Sequence, residues 1–279
     1  MTNINVSTVL LTKNSAHSLP KYLASMAEVD DIVALDGGST DGTLELLKGM
    51  PNVRVFPQHE DFLKDGRIVD FASMRNYGYS LCRHPWILCV DSDEAASAKL
   101  LAEVRSIVER GEPAVYHARR LFTLDGKPVV GLGVSASDQI RLFHRAVAPG
   151  CVRPVHERVI VLPGAKTATL GETIVVPLPT AAAARPKYDR YLAIEVEKNA
   201  GITWARWLRW LLVRNLWSTL RRCVTIVVSR LIPKPGPRYP LDLEYEQLRY
   251  IWLLTWRTCP LIGPREPSTR RTLPPPPLP

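Results

Sequence analysis

A chain of 279 residues, 46% apolar and 23% charged, can bury one substantial core plus an appended element, which excludes a disordered or fibrous protein. Its five cysteines, at 82, 89, 151, 223 and 259, form no Cys-x-x-Cys pair and are odd in number, which argues against a zinc site and a disulfide framework and fits a reducing compartment. The net charge of +9 is uneven: residues 1–180 carry 19 basic against 20 acidic side chains and residues 181–279 carry 17 against 7, the asymmetry of a segment that meets an anionic surface.

The first strand-like segment, Val6 to Thr12, has no basic stretch and long apolar run ahead of it, so no secretory signal is expected and cytoplasmic residence is. A helix with Leu19, Leu23 and Met26 on one face comes next, then an apolar run from Ile32 to Leu35 and a helix with Leu44 and Leu47. Val53 to Phe56 reads as a short strand, Phe71 to Cys82 as a helix, Trp86 to Val90 as a buried strand, and Leu100, Val104, Ile107 and Val108 as a helix face. This alternation predicts an α/β fold with a mostly parallel sheet covered on both faces. Ligands of such sheets bind beyond the carboxyl ends of the strands. Three polar loops fall there: Thr12 to Ser15, Asp36 to Thr43, and Asp91 to Glu94.

From Ala114 to Val176 the pattern turns to short β-like pieces, Ala114 to Ala118, Gln139 to Phe143 and Thr173 to Val176, with a turn at Asp125-Gly126. Pro177 to Pro186 reads as a linker. A helical extension then runs to Ile232, is broken by Pro233-Lys-Pro-Gly-Pro237, resumes from Leu241 to Cys259, and gives way to a proline-rich tail. The expected domains are residues 1–180, a basic aromatic extension over 181–262, and a disordered tail over 263–279.

Asp91, Asp93 and Glu94 close the Trp86–Val90 strand. Residues two apart share a face of a strand, so Asp91 and Asp93 should converge, and a divalent cation bridging them to a diphosphate would relieve their repulsion. In Asp36-Gly-Gly-Ser-Thr-Asp-Gly-Thr43, Ser39, Thr40 or Asp41 serves either as a helix cap or as part of a nucleotide loop, with Asp36 accepting from a base or ribose. The chain has no Gly-x-Gly-x-x-Gly or P-loop pattern. Arg75 is either a surface cation or a contact to a base carbonyl or phosphate. His156 is either structural or a metal or diphosphate ligand, and Glu157 beside it reads as a solvated charge.

Thr12-Lys-Asn14, the Asp36–Thr43 loop, Arg75-Asn76, Trp86 through Glu94 with its Asp-x-Asp, Arg141-Leu-Phe143 and His156-Glu157 together make the chain resemble a family 2 glycosyltransferase of the GT-A fold. The likeness spans about 180 residues and is nearest the branch that adds hexoses to lipopolysaccharide core. It implies inverting transfer from a nucleotide sugar, a UDP-sugar, with Mn or Mg as cofactor. By position it places Thr12, Asn14, Asp36, Arg75, Asp91 and Arg141 on the nucleotide sugar, and Asp93, with Asp91 and His156, on the metal. Asp138 matches the acid before Arg-Leu-Phe and becomes the general base. Relatives often carry Gly-Trp and a proline before that acid, whereas this chain has Gly133-Val-Ser-Ala-Ser-Asp138, which leaves the acceptor pocket undefined. The rival readings are a sugar-phosphate nucleotidyltransferase and a non-catalytic nucleotide-sugar-binding protein.

In the extension, Trp204, Trp207, Leu208, Leu211 and Leu212 share a stripe at helical spacing, and Arg221 and Arg222 interrupt the apolar run beyond it. No stretch of about 20 uncharged apolar residues is present, so a spanning helix is not expected. The stripe predicts peripheral attachment to an anionic membrane, on the inner face of the cytoplasmic membrane, or packing on protein, including a homodimer. Nucleic acid is not expected as a partner. The acceptor that fits is a glycolipid or envelope glycan.

Overall fold

The computed structural model describes residues 3–130, 139–231, 233 and 235–261. The chain divides into two compact units, one comprising residues 1–130, 134–178 and 235–237, the other residues 131–133, 179–234 and 238–279.

The first unit contains β1 (Ile4–Thr12), α1 (Leu19–Ser25), β2 (Val29–Asp36), α2 (Thr43–Lys48), β3 (Val53–Pro57), the small hairpin β4 (Leu63–Lys64) and β5 (Arg67–Ile68), and α3 (Phe71–Ser80). It continues through β6 (Trp86–Leu88), α4 (Ala98–Arg110), β7 (Ala114–Leu124), β8 (Lys127–Pro128), β9 (Gln139–His144), the hairpin β10 (Cys151–Val152) and β11 (Arg158–Val159), and β12 (Lys166–Pro177). The main sheet has the order β12-β7-β9-β6-β1-β2-β3, with β8 folded back on β7. β6, β1, β2 and β3 run parallel, β9 is antiparallel to both β6 and β7, and β12 is parallel to β7.

Period-two alternation sends the two faces of the parallel strands into two cores. Val6 and Leu10 of β1, with Ile32 and Ala34 of β2, pack on the side that holds Leu100 and Val104 of α4. Val9, Val33 and Leu35 face the opposite side, with Ala72 and Met74 of α3. Burial on both faces is why these strands read as unbroken apolar runs.

Several expected boundaries move. β7 and β12 are long strands rather than short pieces, because their parallel pairing from Lys166–Ala114 to Pro177–Thr123 gives each a ladder along most of its length. β6 stops at Leu88, so the acidic segment is not an extended continuation of it. Residues 177–186 are not all linker: α5 (Ala181–Lys198) begins inside them, capped by Thr180, whose Oγ1 accepts from the Ala183 amide at 3.3 Å. Four alanines favour helix strongly there, and Pro186 near the start forgoes only one backbone bond.

The second unit holds α5, a helix that starts as α6 (Trp204–Arg206), passes through a π-helical stretch (Trp207–Val213) and continues as α7 (Arg214–Leu231), and then α8 (Leu241–Arg257). Its core is Leu192, Leu211 and Leu254, with Trp207 and Tyr250 packed around them. Glu246, buried on α8, accepts from Arg185 at 2.6 Å and Arg249 at 2.7 Å, and Arg249 also reaches Asp189 at 2.5 Å. The expected single stripe is split by the π-helical turn, whose i→i+5 bonding rotates the residues C-terminal to it. Leu211 is buried and the Trp207 indole donates to the Thr255 carbonyl at 3.0 Å, whereas Trp204 and Leu208 are half exposed.

Gly78 lets α3 lie close on β1. A Cβ there would sit 2.4 Å from Val9 Cγ1 and 3.3 Å from Leu35 Cδ1. Gly78→Ala is expected to cost about 1–3 kcal/mol of stability in urea melts despite alanine's better helix propensity, and Val9→Ala in the same chain should recover part of it.

Candidate active site

The parallel strands β6, β1 and β2 are neighbours, so their carboxyl ends lie on one rim. Thr12 pairs with Asp36, and Ser7 pairs with Ile87 near the carboxyl end of β6, so the segment that follows Leu88 leaves the sheet on the same edge as the loops after β1 and β2. The three loops singled out in the sequence therefore meet at one edge of the sheet.

The first two loops are laced together. The Ser39 hydroxyl accepts from the Asn14 amide at 2.8 Å, Asn14 Oδ1 accepts from the Thr40 amide at 2.8 Å, and Asp41 accepts from the Ala16 amide at 3.0 Å. Asp36 is buried and turned onto its own loop, taking the Gly38 and Ser39 amides at 2.9 and 2.8 Å and the Ser39 hydroxyl at 2.5 Å. These bonds draw the loop's amides inward and make Asp36 its organiser. None of Ser39, Thr40 or Asp41 is the N-cap of α2. Gly42 holds that position in the left-handed region at φ 89°, and Asp41 instead closes a turn onto Thr43. Thr12 is buried with its Oγ1 lacking a hydrogen-bond partner, a hydroxyl at the end of β1 whose bonding the protein leaves incomplete.

The third loop is a tight turn. The Glu94 amide donates to the Asp91 carbonyl at 2.9 Å, and the Asp91 amide donates back to Glu94 Oε2 at 3.0 Å. Strand alternation thus does not govern Asp91 and Asp93: Asp91 is partly buried, Glu94 is buried and Asp93 is exposed. A two-residue bridge between Ala95 and Val175 ties the turn to β12.

Two arginines brace this turn. Arg141, buried on β9, donates to both Glu94 oxygens at 2.8 and 2.7 Å, to the Cys89 carbonyl at 3.1 Å, and lies 3.6 Å from Asp91. Arg75, from α3, donates to Asp91 at 2.6 Å and to Glu157 at 2.7 Å. Burial works against both charges, but Asp91 and then Glu94 outweigh it for Arg141, and Asp91 with Glu157 does so for Arg75, so both guanidiniums titrate above their ordinary value. Burial, then the adjacent Asp91, pushes the Glu94 carboxyl up.

Asn76 brings Glu157 to Arg75. Its side chain donates to the Cys151 carbonyl at 2.9 Å and accepts from the Cys151 amide at 2.7 Å, as a strand would, while the Phe71 amide holds the Pro154 carbonyl at 2.9 Å. The β10–β11 hairpin is thereby fixed on α3. Glu157, expected to be a solvated charge, is instead an ion-pair partner at the site, because that clamp presents it to Arg75. His156 sits at the exposed tip of the same hairpin with φ 55°. Asp138 lies outside the described residues. Cys82 and Cys151 are buried thiols pushed up to about 12 by desolvation, which makes them poor nucleophiles at neutral pH.

Among the described residues no group of three or more His, Cys, Asp or Glu side chains is placed to hold one metal ion, so Asp91, Asp93 and His156 do not assemble as a three-ligand centre. A magnesium-type ion needs only one or two protein carboxylates when a diphosphate supplies further oxygens, and the turn offers Asp91 and Asp93 for that. The donor set fits such an ion.

With this geometry in view, comparison with known proteins shows what the chain is similar to. Residues 7–133 match the model described as Glycosyl transferase family 2. That match covers a little under half of the chain, 127 of its 279 residues. They span most of β1 through to β8 and include all three rim loops. Among curated relatives, an uncharacterised glycosyltransferase of Rickettsia prowazekii is 26% identical over 104 residues, 37% of this chain and 32% of its own length. One from Rickettsia typhi is 26% identical over 148 residues, 51% of this chain and 47% of its own. The chain thus spans less than half the length of these curated relatives. A solved structure of S. aureus TarS 1-349 with UDP aligns at TM-score 0.45 and 16% identity, covering 74% of this chain and 68% of that one. The fold class read from the sequence, a mostly parallel α/β sheet followed by a helical extension, is the one observed.

Glu94 and Asn76 stand in the sequence motifs, but the sequence assigns neither of them a role. The Asp91-to-Glu94 spacing of a closed turn was the available signal for the first. For Asn76 there was none, since its partner is backbone 75 residues away.

Arg141→Met would leave Glu94 buried beside Asp91 with only the more distant Arg120, at 4.0 Å, to answer it, and is expected to cost about 3–5 kcal/mol at neutral pH in denaturant melts. Glu94 binds its proton more tightly folded than unfolded, so its contribution to stability is fully present below the ordinary carboxylate range and is lost as pH rises through its raised value. The deficit of the variant should therefore shrink as pH is lowered through that value.

Proposed function

We propose that this domain catalyses inverting, metal-dependent transfer of a hexose from a UDP-sugar to a lipid-linked or envelope glycan such as lipopolysaccharide core, at the inner face of the cytoplasmic membrane. The observation that carries the reading is the meeting of three loops from β1, β2 and β6 at one rim, with an arginine-braced acidic turn among them. The uridine donor and the lipopolysaccharide acceptor rest on the family resemblance.

In this reading the nucleoside lies over the Thr12–Ser15 and Asp36–Thr43 loops. Asp36 sets the loop's shape from beneath, and the buried Thr12 hydroxyl is a candidate to complete its bonding on the donor. Asn14, through its bonds to the second loop, fixes the spacing between the two. Gly37 keeps the floor low: a Cβ there would meet Gln58 Oε1 at 2.9 Å.

Arg75 and Arg141 hold the acidic turn so that Asp91 and Asp93 face the diphosphate in one arrangement, which lowers the cost of ordering them during reaction. A bound Mg or Mn would neutralise charge developing on the departing diphosphate. Asp138 is the candidate base for the acceptor hydroxyl.

The test is thermal stabilisation across nucleotide sugars, with Mn or Mg and with chelator. A UDP-sugar at about 100 times its Kd should add roughly 2.7 kcal/mol, lost in chelator, and a flat panel overturns the reading. Asp93→Ala should abolish turnover with the melting temperature kept. Asp138→Asn should keep donor stabilisation and lose transfer; full activity in it removes Asp138 from the mechanism.

A further inference from the structure

α7 is turned inside out for a helix in water. Val213, Trp217, Leu220, Val224, Val227 and Leu231, spaced four, three, four, three and four residues apart, form one stripe, and each is 53 to 75% exposed. On the opposite side the helix buries Asn215 and Ser229. The Asn215 amide donates to Thr255 Oγ1 on α8 at 2.7 Å, and Arg222 pairs with Glu244. The unit thus spends its polar groups on internal contacts and leaves the helix's apolar face outward. Trp204, Leu208 and Trp210 extend that surface, all at least half exposed. A contiguous apolar face of this length marks an interaction surface.

The charge around it selects the occupant. Residues 201–231 contain six arginines and no acidic residue or lysine, and Arg206, Arg209, Arg214, Arg221 and Arg230 are exposed. A second copy of this helix laid along the stripe would bring arginines against arginines with no carboxylate to answer them. A bilayer carrying anionic headgroups answers them all. Exposed tryptophans among aliphatic side chains suit the boundary between headgroup and acyl chain, and arginines beside an apolar face can bury their stems while their charged ends stay with the headgroups. Among the described residues no helix is long and apolar enough to cross a membrane, so the contact is one of lying on the surface.

We propose that the Trp204–Leu231 segment docks on an anionic lipid surface through this stripe, its axis in the membrane plane. The inference rests on the proposed function only in taking the acceptor to be membrane-borne. The contact itself needs no catalysis.

The test uses the full chain and vesicles of phosphatidylcholine with or without about 30% phosphatidylglycerol, read by co-sedimentation. Wild type should bind the anionic vesicles, release in high salt, and bind neutral ones about tenfold or more weakly. Trp217→Ser with Leu220→Ser and Val224→Ser should weaken anionic binding about tenfold or more, with circular dichroism and melting temperature unchanged because these side chains are already exposed. Arg209→Gln with Arg214→Gln and Arg221→Gln should weaken anionic binding and lower its salt dependence. Equal binding to both vesicle types, no binding by wild type, or a serine variant that binds like wild type would each overturn the proposal. So would sedimentation showing a wild-type dimer that the serine variant dissociates without change in vesicle binding, which would assign the stripe to a second copy. Donor-induced thermal stabilisation in vesicle-free solution should be the same in the serine variant and wild type. That measurement fails or succeeds with the catalytic reading alone.

Discussion

Four acidic side chains, Asp91, Asp93, Glu94 and Glu157, are gathered at the end of β6, and the site depends on how their repulsion is contained. Arg141 grips Glu94 with two parallel bonds from inside the sheet, and Arg75 spans Asp91 and Glu157 from α3. Buried charges of one sign, unanswered, would either protonate or open the turn. Because each guanidinium is planar and presents donors in a fixed fork, the carboxylates are held in orientation as well as in charge balance. Lysine could supply the charge but not the orientation.

The neighbouring loops reach the same end without cations. The Asn14, Ala16 and Thr40 amides are each answered by a side chain of the other loop, and Asp41 also closes onto Thr43. Preorganisation of this kind moves the entropy of ordering from the moment of binding to the moment of folding. Asp36 belongs to this internal scaffold, a role different from the direct ligand contact its place at the strand end suggests. The Thr12 hydroxyl, left unanswered at the same edge, is the exception that a ligand could satisfy.

The second unit shows the opposite use of polar groups. Glu246, Asn215 and Thr255 are buried and bonded to partners on neighbouring helices, which fixes how α5, α7 and α8 pack while their apolar residues are only partly consumed by the small core. The surplus lies along α7. A π-helical stretch ahead of α7 sets which residues turn outward, so a shift of one bond in the backbone ladder decides the composition of the exposed face.

Sequence alone determined the alternation of strands and helices, the parallel character of the sheet, and the three loops at its rim, because these arise from local periodicity and from the general geometry of α/β layers. It also determined the charge asymmetry and the break at Pro233–Pro237, which composition carries directly. Only the tertiary structure decided that Glu157 pairs with Arg75 and Glu94 with Arg141, that Asn76 is a clamp, and that Asp36 faces its own loop. Each of those roles comes from a partner that the chain brings back from a distance, 82 residues for Arg75 and Glu157 and 47 for Arg141 and Glu94, or from a turn whose bonding a strand pattern does not encode. A side chain's type fixes what it can bond. Which bond it makes is set by packing, and packing is a property of the whole chain.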